Sequence, residues 1–281
     1  MITELKTVSN AKAFGGMQGV YSHQSERCGC EMSFSVFLPP AAAVRACPVV
    51  WYLSGLTCSA MNVTEKGEFR RMAAEHGLIV VCPDTSPRGA HIPDDPGNWQ
   101  FGVGAGFYVD ATEMPYSLNY QMYSYIVSEL PEIIAANFPV DMNRQGIFGH
   151  SMGGHGAMTI ALKNPGRYKS CSAFAPIVQP MTANWSRPAL RTFLGENEAA
   201  WRAYDSIALI EDGHRFGEFL VDQGDADGFL ADGLRPWLLA SACEQAGIPL
   251  TLRMQEGYDH SYFFVSTFMN DHLAWHAQRL G

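Results

Sequence analysis

Arg144-Gln145-Gly146-Ile147-Phe148-Gly149-His150-Ser151-Met152-Gly153-Gly154-His155-Gly156-Ala157-Met158 reads as strand, turn and helix. Ile147 and Phe148 are apolar β-formers, Gly149 to Gly154 is a glycine-dense turn, and helix formers run from Gly156 to Lys163, where Asn164-Pro165 stops them. Within the turn lies Gly-x-Ser-x-Gly, with a strand before it and a helix after it. That context makes it a nucleophile elbow, in which a serine is held at a sharp bend with its hydroxyl projecting above a sheet. A side chain at 149 or 153 would collide with neighbouring backbone in so tight a bend. The following helix aims its amino end at the serine, offering N–H groups and a favourable dipole to a developing oxyanion. The stretch outlines an acyl-transfer site.

Outward from the elbow, the chain alternates strands and helices. Pro48 to Leu53 is a continuous apolar run of buried-strand type that empties into Ser54-Gly55-Leu56-Thr57-Cys58, a loop placed to supply a second oxyanion donor. Thr64 is expected to cap a helix over Glu65 to His76, stopped by Gly77, and Leu78 to Cys82 is the next buried strand. Ser117 to Asn137 has helical length and composition, with a bend or break at Pro131. Tyr168 to Ala175, Gly217 to Val221 and Leu250 to Gln255 read as strands, with helices over about 233–246 and 262–280. Before all of these, the first fifty residues carry short β-type runs at Gly19 to His23 and Met32 to Leu38. The pattern predicts an α/β fold with a mostly parallel central sheet and helices on both faces, as a single domain over 1–281. Two irregular regions, about 85–115 and 176–201, are expected to wall a substrate pocket.

Composition narrows the function. The chain has 281 residues, 47% hydrophobic and 17% charged, enough for one large core. A net charge of −9 opposes nucleic acid or an anionic membrane as partner. Met1 to Lys6 lacks a signal-peptide run and no stretch has the length of a membrane span, so a cytoplasmic location is expected. Seven cysteines, at 28, 30, 47, 58, 82, 171 and 243, read as reduced thiols. Cys28 and Cys30 with His23 could form half of a metal site, but no second pair completes it, so no metal is expected. His272 and His276, four apart on the last helix, read as surface residues.

A serine hydroxyl needs a base, and the base needs an orienting group. An acidic loop, Asp222-Gln223-Gly224-Asp225-Ala226-Asp227, and a histidine loop, Glu256-Gly257-Tyr258-Asp259-His260-Ser261, each follow a late strand, so both reach the sheet edge that carries the elbow. His260 is the base so placed. His150 and His155 belong to the elbow and read as packing or supporting residues. Asp222, Asp225 and Asp227 share one loop and the pattern does not separate them, whereas Asp259 points away from the adjacent ring.

Several long blocks carry a family likeness: Leu53-Ser54-Gly55-Leu56-Thr57-Cys58, Asp84-Thr85-Ser86-Pro87-Arg88-Gly89, Gly104 to Thr112, Gly149 to Ala157, Asp222-Gln223-Gly224 and Glu256 to Tyr262. In that order they resemble the S-formylglutathione hydrolases, also called esterase D, over nearly the whole chain. The resemblance implies an α/β-hydrolase fold and cleavage of the thioester S-formylglutathione to formate and glutathione, a step of formaldehyde detoxification, with side activity on short-chain esters and no cofactor. It places the nucleophile on Ser151, the base on His260 and the acid on Asp227. The oxyanion donors fall on the backbone N–H groups of Leu56 and Met152, and Cys58 and Trp185 fall beside the substrate. It also implies a homodimer. The family often has Cys-Pro-Trp-Gly where this chain has Ala183-Asn184-Trp185-Ser186, and Asp94 to Asn98 departs too, both in pocket-wall loops. A general short-chain carboxylesterase would share every catalytic residue, and a non-catalytic binding module on the same fold is opposed by the intact serine, histidine and aspartate.

Overall fold

The computed structural model describes residues 4–281. Nine strands form one sheet: β1 (Lys6–Ala13), β2 (Gly16–Ser25), β3 (Cys30–Leu38), β4 (Cys47–Leu53), β5 (Ile79–Pro83), β6 (Val140–His150), β7 (Tyr168–Phe174), β8 (Phe219–Gly224) and β9 (Leu250–Gln255). Their spatial order is β1-β2-β3-β5-β4-β6-β7-β8-β9. The pairings from β5 through β9 are parallel, and β1, β2 and β3 add an antiparallel flank. The helices are α1 (Ala60–Lys66), α2 (Arg70–His76), α3 (Met122–Ser124), α4 (Leu130–Asn137), α5 (Met152–Lys163), α6 (Arg187–Leu194), α7 (Glu198–Trp201), α8 (Ser206–Glu211), α9 (Pro236–Ala246) and α10 (Tyr262–Leu280).

The pleat of β7 shows how the sheet is covered. Ser170, Ser172 and Phe174 face α10, while Ala173 faces α5, whose Gly154 lies so close that a β-carbon there would sit 3.2 Å from that of Ala173. Every residue of β4 is buried, as its uninterrupted apolar run requires in a strand covered on both faces. The parallel strands therefore point their carboxyl ends toward one edge, where the loops after β4, β6, β8 and β9 gather.

Several expectations are corrected. The helix expected over 65–76 is two helices, and Thr64 caps neither. Ser59 caps α1, accepting from Met61 N at 3.2 Å, while the Thr64 hydroxyl donates to Ala60 O at 2.7 Å and pairs with Ser35 Oγ at 2.6 Å. Glu68, at φ 54°, breaks the run before α2. The region 176–201 is not irregular: α6 and α7 occupy much of it, and Leu190, Phe193 and Leu194 bury one helical face. The bend expected at Pro131 comes just before it, as a π-helical segment over Tyr125–Glu129. Pro131 has no N–H for the carbonyl of Val127, and Arg167 Nη1 donates to that oxygen instead. The antiparallel flank gains β1, which is exposed along nearly its whole length and so carries no alternation.

His272 and His276 are not at the surface; both are fully buried between α10 and the sheet. His276 reaches Ser170 Oγ at 2.6 Å and Ser172 Oγ at 2.8 Å, and His272 reaches Ser172 Oγ at 2.8 Å and Asp222 Oδ2 at 3.2 Å. Burial would raise the Asp222 carboxyl, but hydrogen bonds from His272 and Arg253 prevail and hold it down at about 2. The carboxylate can only accept, so His272 Nε2 carries the proton and its Nδ1 accepts from the Ser172 hydroxyl. Ser172 Oγ then accepts from His276 Nε2–H, and Ser170 donates to His276 Nδ1. One buried charge sets both tautomers. Gly146 makes this possible, since a β-carbon there would lie 2.6 Å from Ser170 Oγ and 2.7 Å from His276 Nδ1.

Burial lowers His150, His155, His272 and His276 below their ordinary value near 6.5, His155 to about 4. Below that value the unfolded chain binds protons that the native chain refuses, so stability is full above it and falls as pH drops. Each such ring contributes a slope of up to about 1.4 kcal/mol per pH unit. Urea midpoints should therefore decline steadily between pH 7 and pH 5; a flat profile would show that the rings charge in place.

Candidate active site

The elbow is tighter than the sequence suggests: β6 ends at His150, α5 begins at Met152, and Ser151 alone makes the turn. Its backbone sits at φ 58° and ψ −117°, a region that L-residues rarely occupy. Three backbone hydrogen bonds hold it there, from Ser151 N to Phe174 O at 2.9 Å and to Ser151 O from His155 N at 3.0 Å and Ile177 N at 3.3 Å. The glycine requirement is met literally. A β-carbon at 153 would lie 1.9 Å from the carbonyl oxygen of Leu53, and one at 149 would lie 2.4 Å from that of Gly153.

The loop after β4 lies against the elbow. Thr57 N donates to Gly104 O at 2.9 Å, Tyr108 Oη to Ser54 O at 2.8 Å and Arg88 Nη2 to Cys58 O at 3.0 Å, so the 85–115 segment clamps this loop at three points. Leu56 N and Met152 N donate to no protein acceptor among the described residues, whereas Thr57 N and Ser151 N both donate to backbone carbonyls.

The structure separates the three aspartates. Asp222 is committed to Arg253 and His272, and Asp225 accepts from Gly257 N at 2.7 Å. Asp227, with a fully buried side chain, has Oδ2 2.5 Å from His260 Nδ1 and 3.2 Å from Gln223 Nε2, and its Oδ1 accepts from Phe229 N at 2.8 Å. Asp259 instead accepts from Ser261 N and Oγ at the start of α10. His260 packs at 4.5 Å between ring centroids against His150 and at 5.1 Å against Phe229. Neither nitrogen of His150 has a hydrogen-bond partner among the described residues, and burial together with the neighbouring His260 favours the neutral ring. The other elbow histidine, His155, meets Phe107 O at 3.1 Å and serves packing.

Ser151 and His260 open onto one cleft of about 280 Å³, with Leu56, Cys58, Trp99 and Trp185 among its walls. No hydrogen bond joins Ser151 Oγ to the His260 ring in this conformation, a common state before substrate binds. Trp185 lies 6.0 Å from Trp99 and 5.8 Å from Phe229 between ring centroids, forming an aromatic wall. Gly233 leaves room for that indole; a β-carbon there would fall 2.1 Å from Trp185 Cζ2. Cys58 is buried and burial pushes its thiol up, which disfavours the reactive thiolate. Larger hollows elsewhere, between α8 and α9 and beside the β2–β3 turn, contain neither Ser151 nor His260. Among the described residues no group of three or more His, Cys, Asp or Glu side chains could hold a metal, and Cys28 and His23 are instead buried against Met122 and Tyr125.

A mostly parallel sheet with an elbow serine, an imidazole and a buried carboxylate at its carboxyl edge defines a serine hydrolase of the α/β-hydrolase fold. The family model Esterase matches residues 25–277. The S-formylglutathione hydrolase of Mus musculus is 50% identical over 279 residues, 98% of this chain and 99% of that protein. That of Paracoccus denitrificans (strain Pd 1222) is 51% identical over 281 residues, covering both chains completely. A solved S-formylglutathione hydrolase from Agrobacterium tumefaciens superposes with a TM-score of 0.98 at 66% identity, covering 98% of this chain and 100% of that one. The chain belongs to the esterase family, in its S-formylglutathione hydrolase branch. No helix among the described residues is long and apolar enough to cross a membrane.

Gly153→Ala tests the elbow directly. With a β-carbon forced onto the Leu53 carbonyl, the variant should lose about 3 kcal/mol or more in urea unfolding, or fail to accumulate folded. A midpoint equal to that of the wild type would mean that the two backbones are not in contact.

Proposed function

We propose that this protein hydrolyses S-formylglutathione to formate and glutathione through a formyl-serine intermediate. The observation that carries the reading is the 2.5 Å contact between Asp227 Oδ2 and His260 Nδ1 at the wall of the cleft that Ser151 shares. In this reading the ionised Asp227 accepts a hydrogen bond from His260 Nδ1–H, fixing the tautomer that leaves Nε2 free to act as base. Ser151 Oγ attacks the formyl carbon while its proton passes to Nε2. The oxyanion forms between the amides of Leu56 and Met152, which have no other partner among the described residues. Collapse breaks the C–S bond, and the imidazolium proton goes to the departing sulfur. Water then attacks the formyl ester, again giving its proton to Nε2, and Ser151 is regenerated as formate leaves. A thiolate departs readily, so oxyanion stabilisation should carry more of the rate than protonation of the leaving group.

Cys58 and Trp185 act as substrate-contacting walls, and the chain works as one domain over 1–281 with pocket-wall insertions at about 85–115 and 176–201. We place the enzyme in the cytoplasm, without cofactor, and as a homodimer. The family membership and the absence of charged side chains from the cleft wall support a small, neutral acyl group.

Ser151→Ala should reduce thioester turnover to the background set by binding and the oxyanion donors, and retention of wild-type turnover would end the proposal. In Asp227→Asn the ring loses its tautomer control, and kcat should fall by about 10⁴ as in other serine triads; Asp225→Asn should retain most of its turnover. If Asp225→Asn collapsed and Asp227→Asn did not, the acid would be misassigned.

Acyl size gives an independent check. kcat/KM on p-nitrophenyl esters should drop from acetyl to longer chains, because Trp99, Trp185 and Phe229 narrow the cleft. A preference for octanoyl or longer esters would contradict it.

A further inference from the structure

At about 280 Å³ the cleft lies just below the roughly 300–1,000 Å³ of ordinary small-molecule sites. A formyl thioester places one carbon on the acyl side, so nearly all of a tripeptide thioester is leaving group, and most of it must extend beyond the cleft. Its direction follows from the chemistry: His260 returns its proton to the sulfur, so the thiol departs on the His260 side. Ser261 and Tyr262, the next residues along, line the cleft and also a second groove of about 500 Å³, so the two hollows share a wall.

The two hollows differ in charge. Among the described residues no Lys, Arg, Asp or Glu lines the cleft, whereas the groove carries one ammonium, Lys66, and one carboxylate, Glu68. Neither belongs to an ion pair among the described residues. Phe263, 83% exposed at the first turn of α10, gives the groove an apolar flank. A cation, an anion and an apolar wall together complement an α-amino-acid zwitterion on a methylene stem, the chemistry of a γ-glutamyl group.

We propose that the groove formed by Lys66, Glu68, Tyr262, Phe263 and Ser266 binds the γ-glutamyl end of the leaving thiol, Lys66 meeting the α-carboxylate and Glu68 the α-ammonium. The assignment rests on the glutathione thioester activity given above. It makes specificity for the thiol a property of α1 and α10, separate from the acyl cleft.

The test compares KM for three thioesters in the wild type, Lys66→Ala and Lys66→Glu: S-formylglutathione, S-formyl-γ-glutamylcysteine and neutral S-formyl-N-acetylcysteamine, which also reports on fold integrity. For the two γ-glutamyl substrates the variant-to-wild-type KM ratio should exceed that for the neutral thioester by about threefold to fivefold in Lys66→Ala, the scale of an exposed ion pair, and by more in Lys66→Glu. Equal ratios for all three would overturn the groove while leaving the activity standing. An effect present with S-formylglutathione but lost with S-formyl-γ-glutamylcysteine would move the contact to the glycyl carboxylate and overturn the assignment as stated. Failure of the wild type to turn over S-formylglutathione at all would remove the activity itself and the groove's ligand with it.

Discussion

The site depends on one backbone-to-backbone approach, that of Gly153 at the start of α5 to the Leu53 carbonyl at the end of β4, where no β-carbon fits. This contact brings the loop after β4 onto the elbow, so closely that a β-carbon at Gly55 would lie 3.2 Å from that of Ser151. Ser151 adopts its uncommon φ in consequence, at a cost of about 1–3 kcal/mol for such a conformation. Hydrogen bonds to Phe174, His155 and Ile177 offset that cost. Strand β7, which accepts the Ser151 amide, thereby becomes part of the elbow although it supplies no reacting group.

The molecule contains two serine–histidine–aspartate arrays, and comparing them shows what makes one a site. Ser172, His272 and Asp222 are joined by hydrogen bonds of 2.8 and 3.2 Å, yet all three are buried beneath α10 with no cleft beside them. The Asp222 charge is answered by Arg253 and His272, and its hydrogen bonds are used up in fixing the sheet to the last helix. A buried charge stripped of its partners would cost several kcal/mol, so this array belongs to stability. Asp227 has fewer obligations: one amide, one side-chain amide and the ring of His260, which remains partly exposed in the cleft. Access, and not residue type, separates them.

Much of this was legible in the sequence because backbone constraints write themselves as glycines and strands as apolar runs. The elbow, the buried strands β4 and β5, the partly exposed strand β9, the helix α10 and the placement of His260 all follow from local pattern. Three close aspartates on one loop could not be separated by pattern, since which of them reaches the ring is decided by the turn after β8; resemblance to a family pointed to Asp227, the residue that the structure sets against His260. Strand β1 was missed because a strand exposed along nearly its whole length has no alternation to read. His272 and His276 were misread because i, i+4 polar residues normally mark a solvated face. Their signal lay elsewhere in the chain, in Ser170, Ser172 and the small Gly146, and became readable only once β6, β7 and α10 were packed together. In α6 the signal was local, Leu190-Phe193-Leu194, but Pro188 and the nearby glycine masked it.

The segment over 85–115 links fold to chemistry most directly. It has almost no regular structure, yet it anchors the carbonyls of Ser54 and Cys58 and the amide of Thr57. Three of the loop's polar groups are thus fixed from outside, and the Leu56 amide between them is left without a protein acceptor among the described residues. A donor held in place before reaction stabilises developing charge without reorganising, which is why fixed dipoles outperform mobile solvent at such a position. Tyr108 extends the same clamp to the elbow helix: its ring lies where a β-carbon at Gly156 of α5 would fall, while its hydroxyl holds Ser54. One side chain thereby sets the spacing between the serine's helix and the loop after β4. An irregular segment can do this because nothing in it must satisfy a ladder of its own, so its hydrogen bonds are available to hold two regular elements in register.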